Sequence, residues 1–410
     1  MPDKLQAPKG TQDILPAESW KWQAIETAAR TIAGRYAFSE IRTPVFEHTE
    51  LFHRGVGEAT DIVSKETYTF DDRGGRSLTL RPEGTASVVR AVLQAGLLDQ
   101  EGARAKVFYL FPMLRYERPQ KGRMRQHHQF GVEAFGVADA QQDVECIALQ
   151  RDFYDAIGLK NLHLRVNSLG DAESKARYRD QLREFLEPKQ SALSDDSQRR
   201  LETNPLRILD SKVPGDLDAC VGAPLPSDAL SDSSKAHFDK TCQLLTDLGV
   251  AFDIDANLVR GLDYYTETLW EFVATDIGAQ SAVGGGGRYD TLVQTLGGRP
   301  TPGVGFGLGI ERVLLALEAQ ATELSDARPP LVWIVNTTDV SVLPLMHELR
   351  AAGIAVDADL TGRSVKAQFK LADRSGAAKT LVVGDAFEVK DMATGTQSAV
   401  TREGLIDALR

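Results

Sequence analysis

Cysteine is scarce in this 410-residue chain: Cys146, Cys220 and Cys242 are far apart, and no Cys-x-x-Cys pair occurs. That pattern argues against a disulfide framework or a zinc cage and leaves three plain thiols. No apolar run reaches the roughly 18 residues of a membrane-spanning helix. The opening MPDKLQAPKG lacks the basic-then-apolar order of a secretory leader, so a cytosolic protein is expected. Positive charge is also in deficit, 47 Lys and Arg against 58 Asp and Glu, for a net charge of -11. A chain of that sign does not bind nucleic acid over its whole surface, and any polyanion must be met locally. Both familiar phosphate loops are missing as well. The nearest string to a Gly-x-x-x-x-Gly-Lys-Ser/Thr loop, around Gly376, Lys379 and Thr380, lacks the first glycine, and the glycine run at 303–309 does not space as Gly-x-Gly-x-x-Gly.

What is present is a soluble globular composition, 42% apolar and 26% charged, long enough for two or three domains. The stretch 111–136, FPMLRYERPQKGRMRQHHQFGVEAFG, organises the rest. Val107, Tyr109, Phe111, Met113 and Arg115 share one parity, so a predicted strand ends its apolar face in a guanidinium that needs an anion. In a second predicted strand Phe130, Val132 and Ala134 pack while Gln129, Gly131 and Glu133 present polar groups. Between them, residues 115–125 hold five basic residues against one acid, a basic loop suited to phosphates in an otherwise negative protein. An ordinary hairpin with a solvated basic tip is the alternative, and this stretch by itself does not decide.

In chain order, Trp22, Ile25, Ala29 and Ile32 predict a helix over 18–36 with Gly34 as its stop. Pro44 interrupts a strand-like run, as at an edge or bulge. TYTF and SLTL flank a predicted hairpin turn at Asp72–Gly75. Arg81, Glu83 and Thr85 then stand at a strand-to-helix junction where a small polar ligand could sit; the other reading has Thr85 simply capping the helix and leaves Glu83 unexplained. A polar, helical, inserted lobe without evident chemistry is expected at about 171–245.

Beyond Leu258, LVRGLDYYTETLWEFVA continues as a strand after Tyr264, and four consecutive glycines, 284–287, precede Arg288 and Tyr289. A purely structural strand does not favour four glycines, and close approach of a ligand to the backbone would explain them. Glycines at 303, 305, 307 and 309 leave one strand face bare. A helix is predicted to start near Gly309, and Arg312 in its first turn conflicts with the helix dipole unless an anion is held there. After a linker at 318–330, alternating strands and helices predict a small α/β domain with a parallel sheet. Residues 328–410 carry ten basic and ten acidic side chains, so charge does not identify that domain's ligand.

Taken together, these motifs resemble the histidyl-tRNA synthetase family of class II aminoacyl-tRNA synthetases over essentially the full chain. Pro44 with its flanks resembles the class's dimer-forming first motif, 111–136 the second, and GVGFGLGIERVLLAL the third. LTLRPEGTA, LVRGLDYYT and AVGGGGRYD resemble the histidine-specific signatures, and SVKAQFKLADRSGA the anticodon-binding domain. The resemblance implies an α+β catalytic domain over 1–325, an antiparallel sheet with flanking helices, followed by an α/β anticodon-binding domain over 326–410. It implies a cytoplasmic homodimer with ATP, Mg²⁺, L-histidine and histidine tRNA as partners, and no membrane.

The roles it implies fall on named residues. Arg115 and Arg260 would hold the reacting α-phosphate as catalytic groups, with Glu117 and Arg312 completing the ATP site. Glu83 and Thr85 would receive the substrate amino group and Gln129 its carboxylate side. Glu133 and Tyr265 would bind the two imidazole nitrogens, with Tyr264, Tyr289 and Gly285 as walls. Gln120, Lys121, Arg123 and Arg125 would meet the tRNA acceptor stem. No metal site on protein ligands is expected; His127 and His128 are adjacent strand residues that point oppositely. His127 departs from the aromatic or apolar residue expected there, and Ala367 and Leu371 vary the anticodon-domain helix. A catalytically silent, histidine-sensing regulatory relative is the alternative, disfavoured by the C-terminal domain and by Arg115, Arg260 and Arg312.

Overall fold

An eight-stranded sheet brings the motifs together. Its strand order is Ser39–Glu40, Ala105–Leu114, Gln126–Phe135, Gly303–Gly309, Ala282–Arg288, Thr266–Ala274, Leu162–Ser168 and Asp253–Ile254. The six inner strands are antiparallel to their neighbours, and only the two short edge strands pair in parallel. The computed structural model describes residues 5–58, 60–280 and 282–410. The first four residues of the segment read for a leader, together with Ala59 and Ser281, lie outside the described residues.

Strand alternation sorts the side chains into two cores. On one face Phe130, Val132, Val304, Phe306, Trp270 and Phe272 pack against the helices Pro16–Arg35, Ala140–Ala156 and Ile310–Ala319. On the other, Tyr109, Phe111, Met113 and Leu269 pack beneath the helix Thr85–Gln94 and the helical segments of 172–220. Trp22, Ile25, Ala29 and Ile32 are buried as their spacing predicts. Gly34 does not end that helix, which runs on to Arg35 and stops where Ala37 takes φ 60°. Pro44 separates Ser39–Glu40 from Phe46–His48, which belongs to a separate three-stranded sheet with Ser77–Leu80 and Tyr68–Asp71. Asp72 makes the hairpin turn by accepting from the amides of Gly74 and Arg76.

The helix Asp232–Asp247 falls within the span read as an inserted lobe, yet Leu245 is fully buried in the first core. Its apolar face therefore belongs to the main body, and the lobe-like helices are those before it.

The four glycines at 284–287 lie inside a strand, against the expectation that a structural strand would avoid them. Protein atoms take the space that their side chains would fill. A Cβ on Gly284 would meet the Tyr154 hydroxyl at 2.5 Å and Gln150 Nε2 at 2.6 Å, and one on Gly286 the Trp270 ring at 2.7 Å. On the opposite face, a Cβ on Gly287 would lie 2.8 Å from the Tyr265 ring. Close approach is the reason, but the approaching atoms are the chain's own backbone and side chains: the Gly305 carbonyl oxygen lies nearest a Cβ on Gly286, and the Trp270 carbonyl oxygen nearest one on Gly285.

The chain divides into two compact units, Met1–Ser325 and Asp326–Arg410. The second has its own core, including Val332, Ile334, Leu349, Leu381 and Leu405. Its sheet order is Val356–Ala358, Val332–Asn336, Lys379–Val383, Phe387–Asp391 and Gln397–Val400. The first three strands are parallel, but the last two run antiparallel, so the sheet is mixed where a parallel one was expected. Two tight turns that need no crossover helix make the reversals: at 384–386 the Gly384 amide donates to the Ala386 carbonyl at 3.2 Å, and Asp391 Oδ1 then accepts from the amides of Ala393 and Thr394.

Gly286→Ala is expected to lower stability by about 1–3 kcal/mol, because the ring of Trp270 cannot retreat without disturbing the core. Urea unfolding of the variant beside the unsubstituted protein measures this; an unchanged midpoint would contradict the packing account.

Candidate active site

The third-motif strand supplies a floor. Gly303, Gly305 and Gly307 present bare backbone on the face shared with Gly285 and Gly287, and the side chains of Tyr289, Glu133 and Gln129 lie across that backbone. A cavity of about 510 Å³ opens above, lined by residues from the sheet, the 115–129 hairpin and the 258–265 loop. Arg115, Glu117, Gln129, Arg260, Tyr264, Tyr265, Gly285, Tyr289 and Arg312 all line it, as do Glu83 and Thr85.

Behind one end, bonded to the lining residues Thr85, Tyr109 and Tyr289, lies the carboxyl of Glu133, 1% exposed. Thr85 donates to its Oε1 at 2.7 Å, Tyr109 reaches the same oxygen at 3.5 Å, and the Tyr289 hydroxyl donates to Oε2. Burial pushes this carboxyl up to about 8, with the Tyr289 and Thr85 hydroxyls opposing the rise. Glu83 answers the question posed by its sequence position. Its two oxygens accept from the amides of Thr85 and Ala86 at 2.9 and 2.8 Å, so Glu83 caps the helix Thr85–Gln94. The Thr85 hydroxyl is directed to Glu133 instead. Arg81 does not join the ligand site: it donates to the carbonyls of Pro112, Thr43 and Pro44 and stacks on Phe111.

The other end is dominated by guanidiniums. Arg115 donates to the Pro82 carbonyl at 2.7 Å, Arg260 pairs with Glu271 at 2.6 Å, and Arg312 donates to the carbonyls of Gly122 and Ala282. Arg123 joins them, paired with Glu117 and 3.8 Å from Glu66. Burial lowers Arg312 from the usual arginine value, and Arg123, Arg260 and Arg115 lower it further. Like charges gathered in one cavity favour an anionic ligand with several oxygens.

The four residues read together as an acceptor-stem set separate. Gln120 and Lys121 are exposed at the loop tip. Arg123 turns inward to the cavity, while Arg125 lies over the Tyr116 ring at 4.0 Å and donates to the Glu117 carbonyl. His127 faces the cavity beside Arg115 and Arg312, where burial pushes its imidazole down to about 3. His128 points away to Glu311 and packs edge-on against Trp22.

The sequence reading did not place Tyr109, Arg123, His127 or Glu271 in the cavity. Tyr109 looked like a core residue because only its hydroxyl reaches Glu133. Arg123 was assigned to the solvent side of its loop, and His127 was noted only as a departure. Glu271 carried a usable signal: it is the one acid between Trp270 and Phe272, within an otherwise apolar strand interior.

The histidyl-tRNA synthetase profile matches residues 10–313 of this chain. The chain belongs to the histidyl-tRNA synthetase family. An anticodon binding domain profile matches residues 332–410. The histidine–tRNA ligase of Geobacillus thermodenitrificans strain NG80-2 is 49% identical over 407 residues, covering 97% of this chain and 96% of the relative. That of Thermosynechococcus vestitus strain NIES-2133 is 50% identical over 411 residues, covering 98% and 95%. The apo S. aureus histidyl-tRNA synthetase structure superposes with a TM-score of 0.82 at 38% identity, covering 99% of this chain and 100% of that one. The class II fold, with its antiparallel catalytic sheet and C-terminal anticodon-binding domain, is thus a property of this family member.

Glu133 also sets a pH dependence. Its folded value of about 8 exceeds the ordinary 4.5, so the folded chain holds a proton that the unfolded chain releases. The associated stability is present below about pH 4.5 and is lost as pH rises towards about 8. Glu133→Gln is expected to remove this fall, so urea midpoints of the two proteins, measured from pH 5 to 8, should diverge as pH changes. Parallel curves would contradict the assignment.

Proposed function

We propose that this chain activates L-histidine with ATP and transfers the histidyl group to the 3′ end of histidine tRNA. One observation carries the reading: a single cavity joins a ring of guanidiniums to Thr85, Tyr109 and Tyr289, whose hydroxyls hold the buried carboxyl of Glu133 just behind its wall. Arg115 and Arg260 are assigned to the α-phosphate and Arg312 to the γ-phosphate, with Glu117 holding the neighbouring arginines in place. Arg123, through its position beside Glu117, joins the ATP set, leaving Gln120 and Lys121 as the loop residues best exposed for the acceptor stem. Arg125 supports that loop.

Glu133 and Tyr265 are assigned to the imidazole, with Tyr264, Tyr289 and Gly285 as walls. Each Glu83 oxygen accepts one backbone amide, and Oε2 also accepts from the Tyr264 hydroxyl at 3.4 Å, so Oε1 keeps a lone pair for the substrate ammonium; the Thr85 hydroxyl oxygen can accept there too, and Gln129 lies towards the carboxylate. An aliphatic amino acid would leave the Glu133 end unpaired, which penalises it.

The substrate carboxylate oxygen attacks the α-phosphorus, and the bond to the bridging oxygen of pyrophosphate breaks. Arg115 and Arg260 stabilise the growing negative charge. The tRNA ribose hydroxyl then attacks the activated carbonyl and AMP leaves. Among the described residues no group of three or more His, Cys, Asp or Glu side chains is placed to hold a metal. That fits Mg²⁺ carried in on the nucleotide, with Glu117 and Glu271 the cavity carboxylates that would assist it; the ion supplies charge neutralisation on the phosphates.

A homodimer is part of the proposal, supported by Phe46 and Phe70, exposed on one face of the small sheet with Val45 beside them. So is a cytoplasmic location; none of the described helices is long and apolar enough to cross a membrane. The regulatory reading is not favoured, given the anticodon-binding match and the assembled arginines.

Pyrophosphate exchange into ATP, run with each of the twenty amino acids and no tRNA, is expected with histidine alone. Arg260→His should slow it by about 100-fold or more while histidine binding by calorimetry persists; equal loss of both would refute the phosphate role. Deleting residues 326–410 should spare exchange and weaken tRNA charging, and undiminished charging would refute the role of that unit.

A further inference from the structure

Residues 258–265 carry Arg260, Tyr264 and Tyr265 but contain no helix or strand. Their carbonyls therefore need partners from elsewhere. Lys175, on the helix Ala172–Leu186, supplies them: its Nζ donates to the carbonyl oxygens of Asp263 at 2.5 Å and Tyr265 at 2.9 Å. These two carbonyls belong to the peptide before Tyr264 and the peptide after Tyr265, so one ammonium ties down both ends of the tyrosine pair.

Further contacts converge on Asp263. Asn204 donates to its Oδ1 at 2.6 Å, and the Asp263 amide reaches the Val56 carbonyl. Gly57, at φ 102°, packs so closely that a Cβ there would lie 2.8 Å from Asp263 Oδ2. Arg200 and Arg207 in turn pair with Asp61 in the same region, at 2.7 and 3.8 Å. The helices read as a lobe without chemistry thus brace the loop from outside the cavity.

We infer that Lys175 is a positioning residue of the active site: by holding the Asp263 and Tyr265 carbonyls it sets Tyr265 and Arg260 at the histidine and α-phosphate ends of the cavity. This deepens, and rests on, the adenylation reading. The inference goes beyond attachment of the lobe, because the loop geometry it fixes belongs to the reacting groups. A small displacement of such groups costs rate steeply.

The test compares full-length Lys175→Met with the unsubstituted chain by amide hydrogen exchange and by histidine-dependent pyrophosphate exchange. Amides 260–266 are expected to exchange about tenfold faster or more, with the helix Thr85–Gln94 unchanged. The KM for histidine should rise and kcat fall, each by about tenfold, while the KM for ATP stays within about twofold. Simple loss of folded protein instead lowers kcat with both KM values unchanged. That pattern, or unaltered amide exchange at 260–266, overturns the inference. If Lys175→Met does not fold, Asn204→Ala, which removes only the side-chain bond to Asp263, should shift the same quantities in the same direction by less, and no shift overturns the inference. Amide exchange does not need the reaction. A loosened loop in a protein without histidine-dependent activity would therefore refute the functional reading and leave the anchoring intact.

Discussion

Two adjacent strands that lack Cβ atoms on one face are the constraint on which the catalytic unit depends. Because Gly285, Gly287, Gly303, Gly305 and Gly307 offer only backbone there, the side chains of Tyr265, Tyr289, Glu133 and Gln129 can lie flat across the sheet. The opposite face compensates for the packing lost: Trp270, Tyr154 and Phe306 are buried beneath the same strands. A large aromatic core below and a bare surface above are two aspects of one arrangement.

Charge is the second constraint. Arg115, Arg123, Arg260 and Arg312 share the cavity with Glu117 and Glu271, and the two carboxylates pair directly with the first three. A partly balanced cluster keeps the folded chain stable while leaving a net preference for a polyanion. The carboxyl of Glu133, at the far end, is kept out of that balance by burial and is held by hydroxyl groups instead. The cavity therefore has one end rich in guanidiniums and another lined by hydroxyls that hold a buried carboxyl, and the proposed placement of ATP and histidine rests on that division.

Much of this was legible in the order of residues. The alternation through 107–115 and 129–134 located the second and third strands of the sheet, and period-two glycines at 303–309 located the bare face. Helical spacing placed Ile310, Val313 and Leu317. What escaped depended on contacts remote in sequence. Glu83 and Thr85 exchange their expected roles because Glu133, 48 residues from Thr85, recruits the threonine hydroxyl. Arg123 belongs to the cavity because Glu117 draws it inward, a choice that a loop's local composition does not encode. The mixed C-terminal sheet was misread for a local reason: the tight turns at 384–386 and 391–397 were not weighed against the preceding strand-helix rhythm.

A binding site floored by main chain has an asymmetric capacity for change. Substitution on the floor can only add atoms, so it can shrink the chamber or unseat Glu133 and Tyr289 but never enlarge it. Extra room must come from shortening the walls, and the walls nearest the ring-binding end are Tyr264, Tyr265 and Tyr289, whose rings also pack on one another. Accepting a larger amino acid thus requires several coordinated replacements, whereas rejecting one requires none. The sheet itself makes the chemistry of this chamber conservative.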